Sequence, residues 1–193
     1  MQRSDIILAA AQLFREKGYH GTSMQDIADT VHLQKASLYH HVSSKQDILV
    51  SLLDQALELL IEDITKVVDS DLPPEEKLRN GMRAYISRLA EESGLATVLL
   101  IEHRSLDEEL RAEHIAHRDQ YEGLWRSIIE EGIDKGSFHE VDVPVTTFAL
   151  LGVQNWIITW YRPDGRFDPE EIADQYCALF LEGLCLRSNG TSA

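Results

Sequence analysis

Five polar side chains between Gln34 and His40 are of the types that bind nucleic acid. At helical spacing they share the outer side of a short helix, while the apolar residues of the same segment face inward. No acidic residue occurs between Asp29 and Asp47, although the whole chain has a net charge of −15. A neutral-to-basic surface on an acidic protein favours an anionic polymer as its partner, and we predict DNA. The outward residues are Gln34, Lys35, Ser37, Tyr39 and His40, and the inward ones Leu33, Leu38 and Val42.

Histidines and carboxylates in the second half of the chain could bind a metal or act as acid–base pairs. His114 and His117 are three residues apart, a spacing that can hold a metal ion, but exposed histidines among charged neighbours are the commoner explanation. His103 with Glu102, or His117 with Asp119, could transfer protons. No nucleophile motif, phosphate loop or strong metal motif accompanies them. We therefore predict no catalytic residue, metal or cofactor, and keep a small all-helical enzyme as an alternative.

Composition and charge limit the classes of protein to which this chain can belong. The 193 residues are 44% hydrophobic and 26% charged, which is ordinary for a globular chain. No apolar run of about 18 residues occurs, and the N-terminus lacks the pattern of a signal peptide, so we expect a cytoplasmic protein that does not enter a membrane. Residues 1–50 hold five basic and five acidic residues, so the net charge of −15 lies in the remainder. Any DNA-binding surface must therefore be small.

Helical periodicity runs through almost the whole chain, and the alternation typical of strands is absent. These patterns predict an all-α protein of about nine helices. Within it, Thr22 and Gln25 are expected to form a capping box, and Gly18 to end the first helix. The third helix is expected to span residues 34–42. The predicted helix starts, at or just after a cap residue, are Ser4, Thr22, Gln34, Ser44, Pro74, Leu95, Ser105, Asp142 and Asp168.

The N-terminal pattern resembles that of the TetR/AcrR family of transcriptional regulators. The motifs that carry the resemblance are ILAAAQLFREKGYHGTSMQDIADTV and, after a turn, KASLYHHVSSKQDIL. The resemblance implies an N-terminal three-helix DNA-binding domain with a helix-turn-helix, followed by a larger helical domain for ligand binding and dimerisation. The last two helices, WYRPDGRFDPEEIADQYCALFLEGL, resemble those of a subgroup whose effectors are often acyl-CoA thioesters.

The resemblance also implies roles for individual side chains. Tyr39 and His40 would contact phosphates or bases, and Lys35 and Ser37 would face the major groove. Phosphates also bind at helix N-termini, where free N–H groups and the helix dipole favour anions. The two residues expected to bind phosphate there are Thr22 and Lys45.

Two residues depart from the family pattern. His32 stands where the turn usually has glycine, and because that position commonly needs a positive φ, strain of about 1 kcal/mol or more is expected. Gln34 stands where a small capping residue is usual. Glutamine can bind adenine through two hydrogen bonds, so this residue is expected to alter the preferred DNA sequence.

Aromatic and polar side chains at helical spacing, from the predicted fifth helix onward, form a candidate ligand site. Apolar walls with a few polar groups are typical of a small-molecule site, and equally of a normal core with satisfied polar atoms. The resemblance implies an effector cavity here. The candidate pocket residues are Tyr85, Leu89, Leu99, His103, Tyr121, Trp125, Asn155 and Trp156.

The last two helices are apolar around more of their circumference than one core contact needs. We predict a symmetric dimer, because paired DNA-reading helices bind half-sites about one helical turn, or a multiple, apart. A buried hairpin inside a monomer is the alternative. The predicted interface residues are Phe148, Gly152, Tyr176, Phe180 and Gly183.

Together these patterns predict a ligand-responsive DNA-binding transcriptional regulator. The expected form is a homodimeric repressor that a small apolar effector, such as an acyl-CoA or another lipid-like molecule, releases from palindromic double-stranded DNA. Residues 1–47 would form the DNA-binding domain, and residues 48–193 the effector-binding and dimerisation domain. A protein adaptor that does not bind DNA is the second alternative, beside the enzyme.

Overall fold

The structure is a computed structural model that describes residues 2–185. Within that range the chain forms nine α-helices and no β-strand, as predicted. A 3₁₀ turn at Glu102–Ser105 separates the sixth helix from the seventh. The helices are α1 (Arg3–Lys17), α2 (Met24–Thr30), α3 (Lys35–Leu38), α4 (Lys45–Val68), α5 (Pro74–Glu91), α6 (Ser93–Ile101), α7 (Glu108–Asp134), α8 (Val143–Trp160) and α9 (Pro169–Leu184).

Packing divides the chain into two compact units. Unit 1 contains the chain up to Leu59 together with Glu92–Asp119, and unit 2 contains Leu60–Glu91 and the chain from Gln120 onward. The predicted division after residue 47 concerns function rather than packing, and it stays a prediction. Residues 186–193 of the predicted second domain lie outside the described residues. Between residues 2 and 185, no helix combines the length and the apolar character needed to cross a membrane.

In unit 1, α1 packs against α2 and α6. The ring of Phe14 meets the ring of Tyr19 edge-on, with 5.2 Å between centroids, and so closes the loop between α1 and α2 onto the core. The helical spacing of the apolar residues accounts for this core, since they repeat on one face of each helix. Its fully buried members include Ile6, Ala10, Ile27, Ala28, Leu38, Ile48, Leu49 and Leu52.

The capping box of α2 lies one residue later than predicted. The N-cap is Ser23, whose hydroxyl accepts a hydrogen bond from the N–H of Asp26, while the Asp26 carboxylate accepts one from the N–H of Ser23. The predicted Thr22–Gln25 box is therefore wrong. The reason is that the Thr22 hydroxyl is used elsewhere: it donates to the carbonyl oxygens of Gly18, at 2.9 Å, and Leu13, at 3.3 Å.

Two further helix predictions need correction. The α3 helix is shorter than the expected residues 34–42, because beyond Leu38 the chain continues in tighter turns, with the His40 N–H bonded to the Ser37 carbonyl at 3.2 Å. Ser105 does not cap α7. It belongs to the 3₁₀ turn, where its hydroxyl lies 3.2 Å from His20 Nε2, and α7 begins at Glu108.

In unit 2, α5 packs against α8 and α9. Trp125 of α7 is fully buried and lies directly against Gly81 of α5. A Cβ at Gly81 would lie 2.9 Å from Trp125 Cη2 and 2.8 Å from Ile64 Cδ1, so only glycine allows this close approach. The buried ammonium of Lys77 donates to Glu131 at 2.9 Å and to the Val68 carbonyl at 2.7 Å, which satisfies the charge.

Candidate functional site

The turn between α2 and α3 is set by His32. This residue has a φ of 54°, and among the described residues it is the only one other than glycine with a positive φ, which confirms the expected positive φ. The His32 N–H bonds to the Asp29 carbonyl at 3.2 Å, and the Leu33 N–H to the Ala28 carbonyl at 2.9 Å. These two bonds form a Schellman motif with histidine at the left-handed position. The motif ends α2 and redirects the chain into α3, so the segment is a helix-turn-helix.

Replacing His32 with glycine is expected to raise the free energy of unfolding by about 1 kcal/mol, because glycine adopts a positive φ without a clash between Cβ and the backbone. Urea denaturation followed by circular dichroism measures the change. His32→Ala is the matched control, since it keeps a Cβ, and it should give no such gain. A His32→Gly variant no more stable than His32→Ala would contradict a strained turn.

The predicted outer side of α3 is exposed in unit 1. Gln34, Lys35, Tyr39 and His40 are exposed and Ser37 is half-buried, whereas Leu38 and Val42 on the inner side are buried. The hydrogen-bonding groups on this side include the phenol of Tyr39, the ammonium of Lys35 and the amide of Gln34. Such groups suit phosphate oxygens and base edges, so the side is chemically competent to contact DNA.

The exposed lysine of α3, Lys35, has no acidic partner among the described residues, whereas two other N-terminal cations do. Arg3 pairs with Asp47 at 2.8 Å, and Lys17 pairs with Asp26 at 3.3 Å. Lys35 forms no salt bridge with any described residue. Its ammonium is therefore available to an external anion, and it stands on the exposed side of α3.

Thr22 and Lys45, the two expected phosphate contacts at helix N-termini, are instead used inside unit 1. Thr22 is only 1% exposed, and its hydroxyl donates to carbonyl oxygens of the same unit. The Lys45 ammonium donates to the carbonyl oxygens of Tyr19, at 2.9 Å, and Thr22, at 2.7 Å, and it lies 4.2 Å from the centre of the Tyr19 ring. Burial lowers the pKa of Lys45, against the opposing charge of Glu102. Both residues hold the loop between α1 and α2, and we leave them out of the proposed DNA contacts.

The proposed acid–base pairs do not form. The Glu102 carboxylate accepts hydrogen bonds from the Tyr19 N–H at 3.0 Å and from the Ser105 hydroxyl at 3.3 Å, so it supports the backbone rather than His103. His117 Nδ1 lies 3.4 Å from Asp54 Oδ1 instead of beside Asp119. Over residues 2–185, no group of three or more His, Cys, Asp or Glu side chains is placed to hold a metal ion.

Four predicted ligand-site residues come together inside unit 2. The Tyr85 hydroxyl donates to the amide oxygen of Asn155, the rings of Tyr85 and Tyr121 stack at 6.4 Å, and Tyr121 meets Trp125 edge-on at 6.4 Å. Burial raises the pKa of both Tyr85 and Tyr121, so both phenols are neutral hydrogen-bonding groups. We call Tyr85, Tyr121, Trp125 and Asn155 the aromatic cluster.

A second amide of α8, adjacent in sequence to Asn155, is unsatisfied. Gln154 is fully buried, and neither its amide oxygen nor its nitrogen has a hydrogen-bond partner among the described residues. Buried amides are almost always paired, so Gln154 lacks the hydrogen-bond partner that a buried amide normally has. Helical spacing places Gln154 among the polar residues of α8, but it does not show that the amide is buried without a partner.

The other four predicted pocket residues are divided between the two units. Leu89 is buried in unit 2, whereas Leu99 and His103 belong to unit 1. Trp156 is 65% exposed and therefore does not line an interior cavity in this structure. The predicted set is thus split, and the aromatic cluster is the part that the structure brings together.

The predicted dimer surface is an exposed apolar stripe on α8 and α9 of unit 2. Phe148 is 55% exposed, and Gly152 and Gly183 are open, with no atom within 4 Å of an added Cβ. Tyr176 and Phe180 are half-buried. Three further apolar side chains on the same two helices are largely exposed. These are Val145, Trp156 and Leu179.

Comparison with known proteins places both halves of the chain in one family. Residues 6–52 match the profile of bacterial regulatory proteins of the tetR family. Residues 71–184 match the profile of the tetracyclin repressor-like C-terminal domain. Among curated relatives, the transcriptional repressor KstR2 of Mycobacterium tuberculosis is 28% identical over 186 residues, which cover 95% of this chain and 92% of that protein.

Two solved structures resemble the chain over almost its full length. PfmR, a TetR family transcriptional regulator from Thermus thermophilus, has 40% identity and a TM-score of 0.86, covering 92% of this chain and 97% of that one. AibR, solved in complex with isovaleryl coenzyme A and operator DNA, has 33% identity and a TM-score of 0.86, covering 93% and 97%. The helix-turn-helix, the two matching profiles and these likenesses agree: the chain belongs to the TetR family of bacterial regulatory proteins and is a DNA-binding transcriptional regulator.

Proposed function

We propose that this regulator is a homodimeric repressor that binds palindromic double-stranded DNA through the exposed side of α3 and leaves it when a small apolar effector binds. The observation that carries the proposal is the exposed, acid-free side Gln34–His40 on a helix-turn-helix closed by a Schellman motif at His32. A regulator of bacterial DNA acts in the cytoplasm, and we place this protein there.

The contacts proposed for DNA are those of Gln34, Lys35, Ser37, Tyr39 and His40. Lys35 neutralises a phosphate, and Tyr39 and His40 add hydrogen bonds to phosphates or bases. Gln34 precedes the first turn of α3, where its amide is placed to bind a base edge. Because residues 51–193 are strongly acidic, the electrostatic attraction to DNA phosphates comes from this small surface.

The proposed effector is an acyl-CoA thioester or a similar lipid-like molecule, and the aromatic cluster is its proposed site. Three aromatic rings, two of them neutral phenols, together with the amide of Asn155 and the unpaired amide of Gln154, suit an apolar chain that carries a carbonyl group. AibR, similar over 93% of this chain, binds isovaleryl coenzyme A, which supports a thioester as the class.

Unit 1 contains a route by which the reading segment, which comprises α2, the turn at His32 and α3 with the chain up to His40, can respond. Glu102 and Ser105, at the two ends of the 3₁₀ turn, hold the Tyr19 N–H at 3.0 Å and the Gln46 amide at 2.8 Å. The turn is continuous with α6 on one side and leads into α7 on the other, and α7 carries Tyr121 and Trp125 further along the chain. An effector that favours another position of this turn would change the position of the α1–α2 loop and of α4, and with them α3.

The test uses a palindromic duplex that the wild-type protein selects from random sequence. Lys35→Ala and Tyr39→Ala are each expected to weaken binding about tenfold or more, and Lys35→Ala to reduce the slope of log affinity against log salt by about one. Fluorescence anisotropy of the labelled duplex measures both. Adding isovaleryl coenzyme A to the wild-type complex should release the DNA.

Lys66→Ala is the matched control, because Lys66 is an exposed lysine of α4 paired with Glu62 at 2.7 Å, outside the reading segment. It should bind as tightly as the wild type. If the variant carrying both Lys35→Ala and Tyr39→Ala kept wild-type affinity and salt slope, the proposed DNA contacts would be wrong.

A further inference from the structure

A basic pocket lies at the junction of the 3₁₀ turn and α7, wholly within unit 1. It is a cavity of about 360 Å³ lined by His103, Arg104, Arg111, His114, Ile115 and Arg118. The α7 members lie at positions i, i+3, i+4 and i+7 of one helical face, and the 3₁₀ turn supplies the other two. No acidic residue lines it, although the chain has a net charge of −15. We call it the basic pocket.

The three arginines of the basic pocket have no acidic partners. None of Arg104, Arg111 and Arg118 forms a salt bridge with a residue in the described part of the chain. Arg111 donates from one nitrogen to the carbonyl oxygens of Arg104, at 3.1 Å, and Leu106, at 2.8 Å, which fixes its side chain at the wall. Three guanidinium groups gathered without a counter-charge repel one another, and an anion would relieve that repulsion.

His114 gives a second, independent indication of a ligand. It is 4% exposed, and neither ring nitrogen has a hydrogen-bond partner among residues 2–185. Its ring stacks on that of His103 at 6.1 Å, and His103 Nδ1 donates to the Leu99 carbonyl at 3.1 Å. Buried ring nitrogens are normally hydrogen-bonded. The buried imidazole of His114 has two unpaired nitrogens, which indicates that a ligand supplies a polar partner.

We propose that the basic pocket binds an anionic group, a phosphate or a carboxylate, of a small-molecule ligand. The arginines supply the planar donors that such oxygens prefer, and His114 supplies a further N–H from the buried wall. Two sources share this chemistry: free inorganic phosphate, and a phosphate of a larger effector such as coenzyme A. The site itself does not depend on the proposed repressor function, but its link to DNA binding does.

That link follows from the position of the basic pocket. His103 and Arg104 stand between Glu102, which holds the Tyr19 N–H, and Ser105, which holds Gln46. One short turn thus forms the wall of the pocket and anchors both the α1–α2 loop and the start of α4. An anion bound here contacts the 3₁₀ turn that anchors the reading segment. Anion binding and DNA binding are therefore linked through this turn.

The test is a calorimetric titration of the full chain with inorganic phosphate, coenzyme A and isovaleryl coenzyme A, each in chloride buffer of matched ionic strength. A variant carrying Arg104→Gln and Arg118→Gln is expected to lose about tenfold or more in affinity, because charge-assisted hydrogen bonds are removed. Arg166→Gln, an exposed arginine of unit 2, is the matched control and should bind as the wild type does. The imidazole C–H resonance that disappears in His114→Phe should shift on binding.

Each outcome decides the proposal. Binding of phosphate alone identifies a free anion as the ligand, and binding of coenzyme A without phosphate identifies a group of a larger effector; both support the site. No binding of any of the three anions, or equal binding by the double-arginine variant, would overturn it. Because no DNA is present, a failure here is distinct from a failure of the repressor function.

Discussion

Replacing Phe148 and Leu179 together with glutamate is expected to give a folded monomer whose affinity for a palindromic duplex is about 10²–10⁴-fold lower than that of the wild type. The two side chains are 55% and 68% exposed on α8 and α9, so the substitution leaves the interior of the protomer unchanged. In a symmetric interface each substitution occurs twice, so four carboxylates would have to lose their hydration there. A monomer binds only one half-site, so it loses the increase in affinity that a dimer gains by binding two half-sites at once.

Sedimentation equilibrium measures the mass, and fluorescence anisotropy with the selected duplex measures the affinity. Leu72→Glu is the matched control, because Leu72 is an exposed leucine of unit 2 outside α8 and α9. It should remain dimeric and bind DNA normally. If the Phe148 and Leu179 variant stayed a dimer of full affinity, the proposed interface would lie elsewhere.

Local signals in the sequence predicted much of the reading segment correctly. His32 was expected to need a positive φ, and its φ is 54°. The polar residues of α3 face outward and Leu38 and Val42 inward, because helical spacing alone decides which side of a short helix can be buried. Ser44 caps α4 as expected, its hydroxyl accepting from the Asp47 N–H at 3.0 Å. Each of these features depends on neighbours within a few residues.

Two of the wrong predictions, at Thr22 and Lys45, depend on how the loop between α1 and α2 packs. Thr22 and Ser23 are both good cap residues. Ser23 is the cap because the Thr22 hydroxyl donates instead to the carbonyl oxygen of Leu13. Lys45 carries the charge expected of a phosphate contact, but the loop at Tyr19 folds under it and accepts its hydrogen bonds. Periodicity cannot show either effect.

The basic pocket was missed for a related reason. Arg111, His114 and Arg118 share one face of α7, which their spacing could have shown. Arg104, however, reaches that face only because the chain makes a 3₁₀ turn before α7, and the sequence predicted a helix cap at Ser105 instead. Because this turn was predicted wrongly, the sequence did not show that Arg104, Arg111 and Arg118 line one pocket. His103 and His114 were considered as separate metal or pocket residues, not as a stacked pair.

His114 should make the stability of the protein depend on pH below neutrality. Burial lowers its pKa from 6.5 to about 4, His103 and Arg118 add to the shift, and Asp54 opposes it. The unfolded chain therefore binds a proton more readily than the folded one between pH 6.5 and about 4. Stability from this group is fully present above pH 6.5 and falls as the pH decreases through that window.

Between pH 7.5 and 5.0 the wild type should lose about 2 kcal/mol more unfolding free energy than His114→Phe, since each unit of pKa difference corresponds to about 1.4 kcal/mol. Phenylalanine keeps the ring that stacks on His103 but cannot bind a proton. Urea denaturation at intermediate pH values, in a chloride buffer without multivalent anions, measures the difference. Carboxylates titrate equally in both proteins and cancel in the comparison. Parallel pH profiles would show that His114 protonates as easily in the folded protein as in the unfolded chain.

In the presence of an anion that fills the basic pocket, the wild-type profile should flatten toward that of the variant, because the bound negative charge favours the protonated imidazole.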